Sequence, residues 1–305
     1  MFQATDILFL YVETPLHAGT GAGLGAVDLP IQRERITGYP LVQASSIKGV
    51  LRNVAERKNS SRALEITTTF GPENSDHAGA FSPGDARLLL FPVRSLLGIF
   101  AWTTSPHALS RFIRDAGFAD KNLAWQAPKL PDANTALVCQ NNDISADNQV
   151  VLEEFSFKVQ ENGEVNKIAD WLEKNALPTG DEYDYWRKSL LKRLIVLPDD
   201  DFREFTRFST EVVARIQLDN DKKTVRDGML WTEENLPTDT LLYVPVYATR
   251  PRSNEKAPAN WKDAGDVLNF VRQTVTGRAQ IGGNETIGRG IVALRWTNQS
   301  NEKEG

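Results

Sequence analysis

The sequence holds a single cysteine, Cys139, among 305 residues. That excludes an internal disulfide framework and fits a reducing cytosol. Histidine is almost as scarce. His17, His77 and His107 are the only three, too few beside one cysteine for a Cys/His zinc site of the usual kind. Long apolar runs are also missing. The longest, such as Ile7 to Tyr11 and Leu88 to Phe91, fall far short of the ~20 residues that span a bilayer. The N-terminus lacks the basic start and apolar stretch of a signal peptide. These absences predict a cytoplasmic chain with no membrane partner. No GxxxxGK[ST] phosphate loop and no HExxH motif occur. Asp219-Asn-Asp221 opens like a calcium loop, but Thr224 stands where glycine is required, so a surface turn is expected there.

What is present suits an ordinary globular protein. Apolar residues make up 41% and charged residues 25%, enough for a sizeable core and a solvated surface. The net charge of −5 argues against a generic nucleic-acid binder, which is usually basic. The distribution is uneven, however. From Ile31 to Arg62 seven basic residues face two acidic ones. Screening confines charge effects to about 10 Å, so a local basic face counts for more than the total.

Residues 6–13, DILFLYVE, read as a strand. Residues 15–30 carry four glycines between two prolines and read as a long loop, of the length that is often functional. A helix follows, with Ser45 or Ser46 as cap and Ile47, Val50, Leu51 and Val54 as its buried stripe. Residues 62–82 look irregular. Residues 87–93 read as a buried strand, and 105–116 as a helix with Ser105 as cap and Pro106 in its first position. Residues 119–163 are rich in Asn, Asp, Pro and Gln, with short β-like pieces at 136–139 and 150–159. They read as an extended hairpin arm inserted into the fold. Helices are expected near 165–175, 182–194, from Asp199 and over 261–275, and strands at 211–218 and 240–248. A glycine loop and a strand close the chain, and the polar tail 297–305 is expected to be disordered. The mixed order predicts an α+β, ferredoxin-like core.

Three features could carry chemistry. Gly282, Gly283, Gly288 and Gly290, with Arg289 among them, form a loop whose amides could cradle phosphate. A plain tight turn explains the same glycines. A strand and not a helix follows, so the loop is no dinucleotide fingerprint. Lys48 and Arg52 share one helix face and could grip a phosphodiester, although a solvated charged face has the same spacing. Asp28 and His17 lie in the long loop, where a carboxylate and an imidazole can serve acid–base chemistry. A lone loop aspartate is also a common turn former.

Together these segments resemble a known family. The run Gly25-Ala-Val-Asp28-Leu-Pro-Ile-Gln-Arg-Glu34-Arg35-Ile-Thr-Gly38-Tyr-Pro40, continued by Ser46-Ile-Lys48-Gly-Val-Leu-Arg52, is similar to the repeated backbone subunit of the type III-B (Cmr) CRISPR effector complex. That subunit belongs to the repeat-associated mysterious proteins, or RAMPs. Phe91 to Pro106 and the closing glycine loop resemble the family as well, whereas the likeness is thin across 119–195.

The resemblance implies a ferredoxin-like (RRM-like) palm with finger insertions and a protruding β-hairpin thumb. Residues 1–118 would hold the first part of the palm, 119–163 the thumb, and 164–296 a helical insertion and the rest of the palm. Copies of the chain would stack along a CRISPR RNA beside other Cmr subunits, with each thumb displacing nucleotides of the guide–target duplex. The target RNA would be cut next to each displaced nucleotide. Asp28 is implied in the cut, with a divalent metal such as Mg²⁺ for which Asp28 itself is the candidate ligand, and with His17 as a secondary candidate. Ser45, Ser46, Lys48 and Arg52 and the glycine loop would contact RNA. Two other readings stay open. One is a filament subunit that does not cut. The other is a RAMP endonuclease that processes precursor CRISPR RNA.

Overall fold

A computed structural model describes residues 2–23, 25–58, 61–73, 77–218, 225–252 and 257–297. The strands are β1 (Ala4–Val12), β2 (Leu41–Val42), β3 (Phe81–Pro83), β4 (Ala86–Arg94), β5 (Phe100–Thr104), β6 (Thr135–Val138) and β7 (Gln149–Leu152). They continue as β8 (Phe155–Glu161), β9 (Leu194–Val196), β10 (Glu211–Leu218), β11 (Val225–Asn235), β12 (Leu241–Ala248), β13 (Gly277–Gln280) and β14 (Ile291–Trp296). The helices are α1 (Ala44–Lys58), α2 (Ala63–Phe70), α3 (Pro106–Phe118), α4 (Gly163–Asn175), α5 (Asp184–Arg193), α6 (Asp199–Phe208) and α7 (Ala264–Thr274).

The class is α+β, with an RRM-like palm. At its centre β1 pairs antiparallel with both β12 and β14. Alternation along β1 explains its unbroken apolar run. Leu8, Leu10 and Val12 enter one core with Ile47, Leu51 and Val54 of α1 and Val267 and Val271 of α7. Ile7, Phe9 and Tyr11 enter a second core with Leu109 and Phe112 of α3 and Ile168 and Leu172 of α4. The strand is therefore covered on both faces, and a one-residue slip would exchange the two cores.

The sheet runs β13-β14-β1-β12-β4-β5-β9-β6-β8-β7. This order corrects the expectation of a free hairpin at 119–163. There β6 pairs with β9 and β8, and β7 with β8, so all three strands extend the large sheet. The cause lies in burial: Val150, Leu152, Phe157 and Val159 point into the core and leave only one face for solvent. The separate two-stranded sheet is instead β10–β11. Val212, Ile216 and Leu230 of this ribbon are each more than half exposed. The expected turn at Asp219-Asn-Asp221 lies outside the described residues, as do residues 298–305 of the tail. Thr297, expected in that tail, is buried and donates to Asp6 at 2.7 Å.

Local signals explain the helix ends. Ser105 accepts from the amide of Ala108 at 3.3 Å with Pro106 following, as the sequence predicts. Ser45 and Ser46 are not caps. They sit inside the first turn of α1, and the Asp85 side chain accepts from the amide of Ala44 at 2.8 Å. Helix α2 falls in the stretch read as irregular. Its three threonines are poor helix formers, but Ile66 and Phe70 bury into the core and Gly71, at φ 97°, ends it. Cys139 is fully buried, and burial pushes its thiol up to about 12.

Ser105→Ala removes the α3 cap. It should lower stability by about 1 kcal/mol, read as a shift of the urea midpoint without a change of slope.

Candidate active site and RNA groove

The long loop folds back on itself. Thr20 donates to Pro30 at 3.1 Å and Gln32 to Ala18 at 2.8 Å, so the two limbs pair and residues 21–23 and 25–28 lie at the tip. Its base is held on two sides. Leu16 and Leu236 exchange hydrogen bonds of 3.0 and 2.8 Å at the root of the ribbon. On the other side Gly283 donates to the carbonyl of His17 and Gly290 to that of Pro15, both at 2.9 Å.

This packing gives the glycines a structural reason. A Cβ on Gly282 would lie 2.2 Å from the carbonyl oxygen of His17, and one on Gly290 would lie 2.0 Å from that of Ile281. Both residues also have φ above +70°. Gly288 likewise adopts the left-handed conformation, after a single 3-10 turn. Arg289 is half-buried beside the half-buried Glu211, whose carboxyl burial pushes up against the opposing pull of Arg289.

Asp28 is exposed at the end of the tip. Its Oδ2 accepts from the amide of Thr232 at 2.7 Å and from the Thr232 hydroxyl at 2.8 Å. These two bonds, the backbone one first, hold its carboxyl below the usual aspartate range. His17 is half-buried, with Nδ1 2.7 Å from the carbonyl oxygen of Glu234. A carbonyl only accepts, so Nδ1 is a donor here, and Nε2 packs over Gly19. Asp28 is thus anchored on Thr232 and His17 on Glu234, two positions apart on β11.

The sequence reading missed the two carboxylates beneath them. Glu233 is 3% exposed and accepts from Asn284 at 2.8 Å and Arg215 at 3.1 Å. Burial opposes its ionisation, but these two donors outweigh burial and leave the carboxyl below its usual range. Glu234 is 5% exposed and binds Arg33 at 2.5 Å, the amide of Ile31 at 3.0 Å and Thr210 at 2.8 Å. Two adjacent acids on a strand read as a solvated pair. Their burial needed Arg33 and Arg215, distant in sequence, and only an early strand assignment for 225–235 would have flagged them.

Helix α1 has two working faces. Ser46, Gly49 and Val50 line a groove of about 570 Å³ with His17, Gly19, Gln32, Gly282 and Gly283. Gly49 and Val50 also line the adjoining cavity of about 550 Å³, with Asn53, Arg57, Lys58, Arg278 and Gln280. Lys48 and Arg52 share a face as expected, but neither lines this groove. Arg52 is engaged by Glu56 at 2.7 Å and by the carbonyl of Gly71 at 3.1 Å. Lys48 is held below the usual lysine range by burial first, then by Arg252 and Arg52. Ser45 is exposed off the groove. Much of the basic run at 31–62 is neutralised internally, because Arg33, Arg52 and Arg62 each hold a glutamate.

Comparison with known proteins matches residues 9–293 to the RAMP superfamily model. The chain is 39% identical over 292 residues to the CRISPR system Cmr endoribonuclease Cmr4 of Pyrococcus furiosus, covering 93% of each protein. It is 32% identical over 308 residues to the CRISPR system CMR subunit Cmr4 of Saccharolobus solfataricus, covering 95% of this chain and 96% of that one. Among solved structures, oligomeric Cmr4 from Pyrococcus furiosus superposes with a TM-score of 0.74 at 32% identity, over 97% of this chain and 99% of the other. A chain of the type III-B Cmr-beta complex bound to cognate target RNA shares the fold, with a TM-score of 0.73 at 22% identity over 97% and 98%.

Glu234→Ala would strand Arg33 and free the ribbon root. A loss of about 3 kcal/mol is expected, measured by chemical denaturation. Faster amide exchange at residues 16–19 and 31–34 should accompany it.

Proposed function

This chain belongs to the RAMP superfamily, and on that premise we propose that it is an RNA-binding backbone subunit of a type III-B Cmr complex that cuts target RNA with Asp28. Copies of it stack along a CRISPR RNA beside other Cmr subunits, and each cuts the paired strand at a regular interval. The observation that carries this reading is the placement of Asp28. An ionised, exposed carboxylate is fixed on strand β11 of a two-stranded ribbon, and His17 of the same loop lines a groove shared with the glycine loop and helix α1. The ribbon β10–β11, and not residues 119–163, has the form of the thumb that parts the duplex.

RNA carries its own nucleophile, the 2′-OH beside each phosphate. In a regular helix that oxygen is poorly aligned with the departing 5′-oxygen. Displacing a nucleotide costs a few kcal/mol, and the alignment it permits can lower the barrier by a comparable amount or more. Asp28, ionised at neutral pH, accepts a hydrogen bond from the 2′-OH and so orients it. A carboxyl below its usual range is a weak proton acceptor, which favours orientation over full proton removal. His17 positions the loop through the Nδ1 bond to the carbonyl of Glu234.

The resemblance also implies a divalent metal. Among the described residues no group of three or more His, Cys, Asp or Glu side chains could cage an ion. Both Thr232 donors converge on Oδ2 of Asp28, which leaves Oδ1 for a ligand from outside. Mg²⁺ is commonly held by one or two carboxylates with phosphate oxygens and water, so Asp28 fits as the protein's single ligand. A bound ion would supply charge neutralisation at the phosphate.

The groove of Gly49, Asn53, Arg57 and Lys58 suits the backbone of the guide, which the protein reads by shape and charge while base pairing reads sequence.

The test is cleavage of an end-labelled, guide-matched RNA by the assembled complex. Wild type with Mg²⁺ should give regularly spaced cuts ending in 2′,3′-cyclic phosphate and 5′-OH. Asp28→Asn and chelation should each slow cutting at least ~100-fold while leaving target binding intact. Unchanged cuts in Asp28→Asn would reduce the chain to a scaffold, and a 5′-phosphate product would sink the 2′-OH mechanism.

A further inference from the structure

With Asp28 in the role proposed above, we infer that Thr232 is the positioning residue for cleavage: from the ribbon it fixes the Asp28 carboxylate, so the reacting group is aimed only when strand β11 is seated. The clasp is two-sided. The Thr232 amide and hydroxyl both donate to Oδ2 of Asp28, at 2.7 and 2.8 Å. The same hydroxyl accepts from the backbone amide of Asp28 at 3.0 Å. The neighbouring backbone repeats the connection. Leu29 donates to the Thr232 carbonyl, and Glu234 donates to that of Leu29, both at 3.0 Å.

The rest of the tip offers little to hold an exposed side chain. Gly19, Gly21, Gly23 and Gly25 precede Asp28, and glycine leaves the backbone the widest choice of conformations. Inside the tip, Gly23 donates to the carbonyl of Asp28 at 2.7 Å, which fixes backbone and not the carboxylate. Exposed carboxylates otherwise sample several rotamers. Thr232 selects one, and it does so from a strand 204 positions away. Its hydroxyl must donate and accept at once. Serine can do both, and valine, equal in shape and suited to a strand, can do neither.

The ribbon is also the element proposed to enter the duplex. Thr232 lies on β11 opposite Ala214 of β10, within the paired region. Displacement of the ribbon therefore moves the carboxylate with it. Seating the ribbon beside a displaced nucleotide and aiming Asp28 at that nucleotide become a single event.

The experiment is single-turnover cleavage by the assembled, guide-loaded complex, with target affinity measured in parallel. It compares wild type, Thr232→Val, Thr232→Ser, Asp28→Asn and the double variant Asp28→Asn/Thr232→Val. Valine leaves the amide bond to Oδ2 in place, so a partial loss is expected, about 10- to 100-fold in rate, with target affinity unchanged. Serine should restore the rate to near wild type. The double variant should cut no more slowly than Asp28→Asn, because the clasp then has nothing to aim. Wild-type rate in Thr232→Val with Asp28→Asn inactive would overturn this inference alone. So would a rate loss that serine does not rescue, or one explained by weaker target binding. Wild-type rate in Asp28→Asn would overturn the proposed function and this inference with it.

Discussion

Two adjacent carboxylates, Glu233 and Glu234, hold the working end of the molecule together. Successive side chains on a strand point to opposite sides, and these two divide their partners accordingly. Glu233 takes Asn284 of the glycine loop and Arg215 of the opposite ribbon strand. Glu234 takes Arg33, Thr210 and the amide of Ile31, beyond the active loop. Leu16, Ala18 and Ile31 of the loop, Leu236 at the foot of the ribbon and Ile281 beside the glycine turn share one apolar core, and this polar network adds directional contacts to that packing. Buried charges are tolerated only when they are paired. The requirement for complete pairing is what makes the arrangement specific.

The central palm was legible in the sequence because its signals are local. The apolar run of β1, the Ser105-Pro106 start of α3 and the glycines of the closing loop each announce themselves within a few residues. The separate two-stranded ribbon was not legible. Residues 119–163 looked like an inserted arm because they are polar and broken by turns, yet Val150, Leu152, Phe157 and Val159 supply the buried face of a sheet edge. The true ribbon was half seen, since 211–218 read as a strand while its partner β11 did not. A two-stranded ribbon buries little, so it carries no strong apolar pattern.

The same division applies to the site. Asp28 and His17 stood out by residue type and by the resemblance of the surrounding run. What arranges them did not, because Thr232, Glu233 and Glu234 come from some 200 residues further along. The basic stretch at 31–62 divides its cations, with Arg57 and Lys58 lining the cavity beside α1. Several of its cations serve carboxylates of the same chain, and the groove draws on the other face of α1. A net charge of −5 is then compatible with a confined RNA track.

The buried Cys139 has a practical consequence. The chain's only sulfhydryl is shut inside the second core, with its thiol pushed up to about 12. Thiolate is the form that alkylating agents and oxidants attack. The folded protein is therefore silent toward maleimides and mild oxidants, and a cysteine introduced on the ribbon would carry a fluorophore or spin label with no competing background.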